Sequence, residues 1–102
     1  MKLPKLTHLQ FLILSTIGNT VSSSAQLMKA LEENGERREK SAFYQLMARL
    51  EASRLVTGDY NSQVFEKQNY REKFYRASDK GKKWHNDTVK FYSERHWVLS
   101  TS

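Results

Sequence analysis

The stretch Lys40 to Val56, KSAFYQLMARLEASRLV, holds side chains of the types that can bond to phosphates and base edges, at a spacing that would put them on one surface. Phe43, Leu46, Met47 and Leu50 fall at i, i+3, i+4 and i+7, the pattern of a single buried helical stripe. In a helix with a Ser cap, Ser41, Tyr44, Gln45 and Arg49 then face away from that stripe, and the small Ala48 and Ala52 allow close approach to another surface. Hydroxyls and Lys40 suit phosphate oxygens, Gln45 could pair with an adenine edge, and Arg49 with a guanine edge or a phosphate. Arg37 and Arg38 lie just upstream. The competing account is a solvated helix face whose Tyr44 covers the core.

Other chemistries find little support. The chain has no cysteine, so neither disulfides nor thiolate metal ligands arise, which suits a reducing cytoplasm. His85 and His96 would stand about 16 Å apart along a helix, too far to share a metal, and His8 belongs to another segment. No phosphate-binding glycine loop, nucleophile elbow or zinc-protease string occurs, so no enzyme, cofactor or metal is expected. Asn86-Asp87-Thr88 spells a glycosylation acceptor but falls inside a helical pattern. The net charge of +6 points toward a polyanion, since Lys and Arg release counterions when they neutralise phosphates.

With 102 residues the chain is expected to form one compact domain near the lower limit for a self-sufficient core, which favours a symmetric pair. The amino terminus mimics a secretory signal, with Lys2 and Lys5 before the apolar Leu9 to Ile17. Thr7, His8 and Gln10 interrupt it, and Leu6, Leu9, Ile13 and Ile17 keep helical spacing, so a folded helix is the better account. No membrane span is expected, and the expected location is the cytoplasm.

The elements that must position the polar face follow from caps and periodicity. Thr7 can open a first helix that Gly18-Asn19 stops, apolar nearly all round through Phe11 and Leu12 as well as Ile13 and Leu14. Ser23 with Gln26 makes a capping-box pattern for a second helix ending near Gly35, its inward face Ala25, Leu27, Met28 and Leu31. After the third helix, Leu55 to Tyr60 and Arg71 to Ala77 read as antiparallel strands, with Tyr75 and Ala77 on one face and Phe74 and Arg76 on the other. Asn61 to Tyr70 would form a wing tip, and Lys67, Arg71 and Lys73 are its candidate phosphate contacts. A last helix opens at Ser78 and continues to about Val98.

Along that helix Trp84, Thr88, Phe91, Arg95 and Val98 recur at spacings of four and three, with Tyr92 alongside. About 20 helical residues span about 30 Å, more than the rest of the domain would cover. With Phe11 and Leu12 these residues are the expected contacts of a homodimer. Trp84, Phe91, Tyr92 and Trp97 also raise the possibility of a small planar aromatic effector held across the pair, although aromatics at helical spacing more often form core.

In this order the segments LTHLQFLILSTI, SSAQLMKALEE, SAFYQLMARLEASRLV and REKFYRASDKGKKW resemble the PadR family of transcription regulators over nearly the whole chain. The carrying motifs are Tyr44-x-x-Met47-x-x-Leu50 with Leu55-Val56, then Tyr75-Arg76-x-Ser78-x-x-Gly81. The resemblance implies a mainly α fold with a small β-hairpin: a winged helix-turn-helix over 1–78 and a C-terminal dimerisation helix over 79–102, as in the compact subgroup of the family. It also implies a homodimeric repressor of double-stranded DNA. Three positions depart from the family pattern. Arg54 stands where Gly commonly ends the recognition helix, so a side chain must occupy a turn that favours positive φ, and Ser24-Ala25 replaces a Gly-Tyr pair. The rivals to a DNA-binding regulator are a winged-helix module for a protein partner and a small-molecule sensor.

Overall fold

The computed structural model describes residues 6–60 and 72–101, with backbone alone from residue 95 onward. The expected wing tip, Lys67 and Arg71, and the side chains of Arg95, Trp97 and Val98, lie outside the described residues. The chain runs α1 (His8–Ile17), β1 (Val21–Ser23), α2 (Ser24–Glu33), α3 (Lys40–Ala52), β2 (Val56–Tyr60), β3 (Lys73–Ala77) and α4 (Asp79–Thr101).

Local sequence sets the first two helix starts. The Gln10 N–H donates to Thr7 Oγ1 at 3.2 Å while the Thr7 N–H donates to Gln10 Oε1 at 3.0 Å. Ser23 and Gln26 repeat the exchange at the head of α2, at 3.2 and 2.8 Å. Each box satisfies two amides that would otherwise lack partners, an effect of about 1 kcal/mol. Gly18 ends α1 at φ +55, and Gly35 turns the chain after α2 at φ +74.

The apolar stripes of three helices converge on one core. Ile13, Leu14 and Ile17 meet Leu27 and Leu31 of α2 and Phe43, Met47 and Leu50 of α3, and Leu55, Val56, Tyr75 and Ala77 close it from the sheet side. Ala25 is exposed rather than inward, because the buried pair Leu27 and Leu31 sets the axis of the α2 stripe and Ala25 lies off it. The sheet has three antiparallel strands in the order β1-β3-β2, not the two of a simple hairpin. Val21, Ser22 and Ser23 pair with Arg76, Tyr75 and Phe74, so the connection between α1 and α2 serves as an edge strand.

The junction of α3 with α4 is tightly built. Leu55 N–H donates to Leu50 O and Arg54 N–H to Glu51 O, both at 2.9 Å, closing α3 with a Schellman turn in which Arg54 takes φ 61. The side chain expected to occupy a positive-φ turn therefore does so. Ser78 N–H then donates to Leu55 O at 3.0 Å, Ser78 Oγ to Arg54 O at 2.6 Å and Lys80 Nζ to Ser53 O at 3.0 Å. Gly81 is what lets α4 come this close: a Cβ there would collide with the Leu55 carbonyl oxygen. Ser78 also caps α4, accepting from Gly81 N–H at 3.0 Å.

Candidate nucleic-acid interface

Three buried residues fix how α3 faces outward. With Phe43, Met47 and Leu50 essentially inaccessible, the opposite side leaves Ser41, Tyr44, Gln45, Ala48, Arg49 and Ala52 exposed. Tyr44 packs against Phe43 in a T-shaped contact, with ring centroids 5.3 Å apart and planes at 74°, while the residue as a whole stays exposed. The α3 start differs from the expected Ser cap. Its N-cap is Glu39, which makes no side-chain cap bond, and Ser41 lies within the first turn. Among the described residues, the amides that open this helix therefore have no N-cap side chain bonded to them.

Cations gather around that end. Arg37 and Lys40 are exposed, and with Lys29 of α2 they border a hollow of about 490 Å³ that also takes in Arg38, Glu32 and Glu39. Arg38 is committed elsewhere: its guanidinium pairs with Glu36 at 3.1 Å and donates to the Arg37 carbonyl at 3.0 Å. Sequence reading passed over Lys29, which is exposed in α2 three residues before Glu32; the placement of Ala25 inward, four residues before it, masked the signal.

Lys73 was expected to meet backbone phosphate and is instead turned toward α3. Its ammonium pairs with Glu51 at 2.8 Å and lies 5.6 Å from the Tyr60 ring centroid and 5.4 Å from that of Tyr75. Its neighbour Glu72 accepts from the Ala25 N–H at 3.3 Å. Burial, and next the Glu51 carboxylate, push the Tyr75 phenol up to about 12.

The α4 side chains divide in the same way between inside and outside. Thr88 is only 3 % exposed and donates to the Trp84 carbonyl at 2.7 Å, so within one copy it has no surface to offer a partner. Trp84 packs on the core under the Lys80 ammonium, 4.8 Å from its ring. Phe11 stacks on His85 of its own chain at 4.9 Å, and a His85 ring nitrogen meets Ser15 Oγ at 2.8 Å. Leu12 is half-buried against the core and Phe91 is half-buried, whereas Tyr92 and Val89 stand out at 59 % and 41 % exposure. Among the described residues no group of His, Asp and Glu could hold a metal ion, and no helix is long and apolar enough to cross a membrane.

In sequence, no protein-family model and no curated protein matches the chain. In structure, it is similar to a PadR family transcription regulator from hypervirulent Clostridium difficile R20291, with a TM-score of 0.77 at 20 % identity over 93 % of this chain and 97 % of that one. A padr family transcriptional regulator from Eggerthella lenta DSM 2243 superposes with a TM-score of 0.71 at 22 % identity, over 91 % of this chain and 79 % of the other. Bacillus subtilis PadR in complex with operator DNA matches at a TM-score of 0.69 and 17 % identity, over 93 % of this chain and 60 % of that protein. The fold is thus the PadR-type winged helix with a long C-terminal helix.

Proposed function

We propose that the chain is a sequence-specific DNA-binding transcription regulator of the PadR type, acting as a homodimeric repressor in the cytoplasm. The observation that carries this is α3: a buried stripe of Phe43, Met47 and Leu50 behind an exposed face of Ser41, Tyr44, Gln45 and Arg49, in a fold shared with a regulator seen on its operator. Gln45 and Arg49 face base edges from the major groove, and Lys40, Ser41 and Arg37 meet phosphates together with the uncapped α3 amides. Arg38 has a smaller share because Glu36 holds it. Lys67 and Arg71, outside the described residues, are included in the proposal as further phosphate contacts.

A second copy meets the first along α4, with Tyr92 and Val89 at the centre of the described part of the contact. Two-fold symmetry then sets the half-sites about 34 to 36 Å apart. The chain is not an enzyme, since its function resides in a surface rather than in a reactive cleft. A planar effector has weaker support, because Trp84 is half-buried, packed on the core of its own chain with the Lys80 ammonium over its ring.

The test is selection of bound duplexes from a random-sequence library by the full chain. A near-palindromic consensus is expected, with its recovery abolished by Arg49→Glu. Recovery of no consensus, or an Arg49→Glu variant that selects as well as the parent, refutes the proposal and favours a module for a protein partner.

A further inference from the structure

The base of the wing is tied to both helices of the helix-turn-helix by two consecutive residues. Glu72 accepts from the first-turn amide of Ala25 in α2, while Ser24 Oγ donates to the Lys73 carbonyl at 3.1 Å. Lys73 then reaches across to Glu51 in the last turn of α3. Exposures of 20 % for the Lys73 side chain and 31 % for Glu51 set this pair apart from a solvated surface bridge. Its cation also lies within reach of two aromatic faces, those of Tyr60 and Tyr75.

Gly58 supplies the space. It stands opposite Tyr75 in the β2–β3 ladder, two positions from the Tyr60–Lys73 pair and so on the same face of the sheet. A Cβ at Gly58 would come 2.6 Å from Lys73 Cε and 2.9 Å from the Tyr75 ring. A glycine in mid-strand, normally a weak choice, is here the slot through which the lysine stem passes.

From this geometry we infer that Lys73, Glu51 and Gly58 form a clamp that sets the angle of the wing against the recognition helix, so that Lys73 is a positioning residue and not a phosphate ligand. The inference rests on the DNA-binding function proposed above and names how that site is held in shape. Simple electrostatics gives the opposite sign for one variant. Glu51→Gln removes a negative charge beside DNA and would strengthen binding if charge alone mattered, whereas loss of the clamp weakens it.

The experiment compares the full chain with Glu51→Gln, Lys73→Met and the double variant, using the consensus duplex selected by the parent, with anisotropy read over a salt series. Each single change should weaken binding about fivefold, the double no more than either alone, with the salt slope unchanged. Gly58→Ala, which evicts the lysine, should match them. Amide hydrogen exchange in the free protein should show faster exchange across β2–β3 in all four variants. A slope lower by about 1 in Lys73→Met alone identifies a phosphate contact and overturns the clamp. Parental affinity in Glu51→Gln, or tighter binding, overturns it as well. Should the parent select no duplex, the DNA-binding proposal falls by itself, and the clamp is judged on exchange: unchanged β2–β3 amides in Glu51→Gln reject it.

Discussion

The two ends of α3 are built on opposite plans. At its C-terminus, the Schellman turn, Ser78, Lys80 and the close approach of Gly81 leave the last carbonyls bonded to the chain itself. At its N-terminus no side chain caps the helix, although α1 and α2 both open with complete capping boxes. The contrast separates two demands on one helix. The end that joins strands and α4 is locked so that the polar face keeps a fixed direction, and the end surrounded by Lys40 and Arg37 keeps donors available to an anion.

That contrast can be broken from either side. The largest effect is expected at the locked end, where Gly81→Ala drives a methyl into the Leu55 carbonyl: a loss of about 3 kcal/mol or more, read from denaturant melts. Arg49→Glu should do the reverse, costing about 1 to 3 kcal/mol in operator binding per half-site while leaving the melting temperature nearly unchanged, because the residue is exposed. Ser23→Ala removes a formed cap and should destabilise the fold by about 1 kcal/mol. Glu39→Asp offers α3 the cap it lacks at constant charge. It should stabilise the protein by about 0.5 kcal/mol and weaken DNA binding, because the new carboxylate competes for the same amides. Stabilisation with unaltered binding would show that those amides are not used.

A smaller effect tests the buried side of the clamp. The Tyr75 phenol, held near 12 against about 10 in an unfolded chain, keeps its proton more firmly when folded. Its contribution is therefore complete below pH 10 and disappears as pH rises through about 12. Melting temperature should decline over that window in the parent, and the decline should be shallower in Tyr75→Phe.

Elements governed by neighbours in sequence were legible, and those governed by distant partners were not. Thr7 and Gly18 marked the ends of α1, Ser23 with Gln26 marked the start of α2, and the i, i+3, i+4, i+7 stripe oriented α3. Alternation in β3 put Tyr75 and Ala77 on one face, which the fold buries, and the family resemblance marked Arg54 as a positive-φ position. β1 escaped because three residues, two of them serines, carry no alternation, and the strand exists only through pairing with β3 more than 50 residues later. Lys73 looked like a phosphate contact because nothing local reveals Glu51 as its partner, 22 residues away. Thr88 looked like part of a dimer seam since spacing along α4 does not say whether α1 or a second copy covers that side; its own chain buries it.

The central claim, that the outward face of α3 is a polyanion-reading surface, is tested most directly by the salt dependence of duplex binding. Anisotropy titrations of the full chain against its selected duplex should show affinity falling on the order of a thousandfold or more between about 50 and 200 mM salt, as 6 to 10 phosphate contacts require, with Arg49→Glu binding poorly throughout. An affinity that stays level across that range, or one that Arg49→Glu leaves intact, would contradict the account.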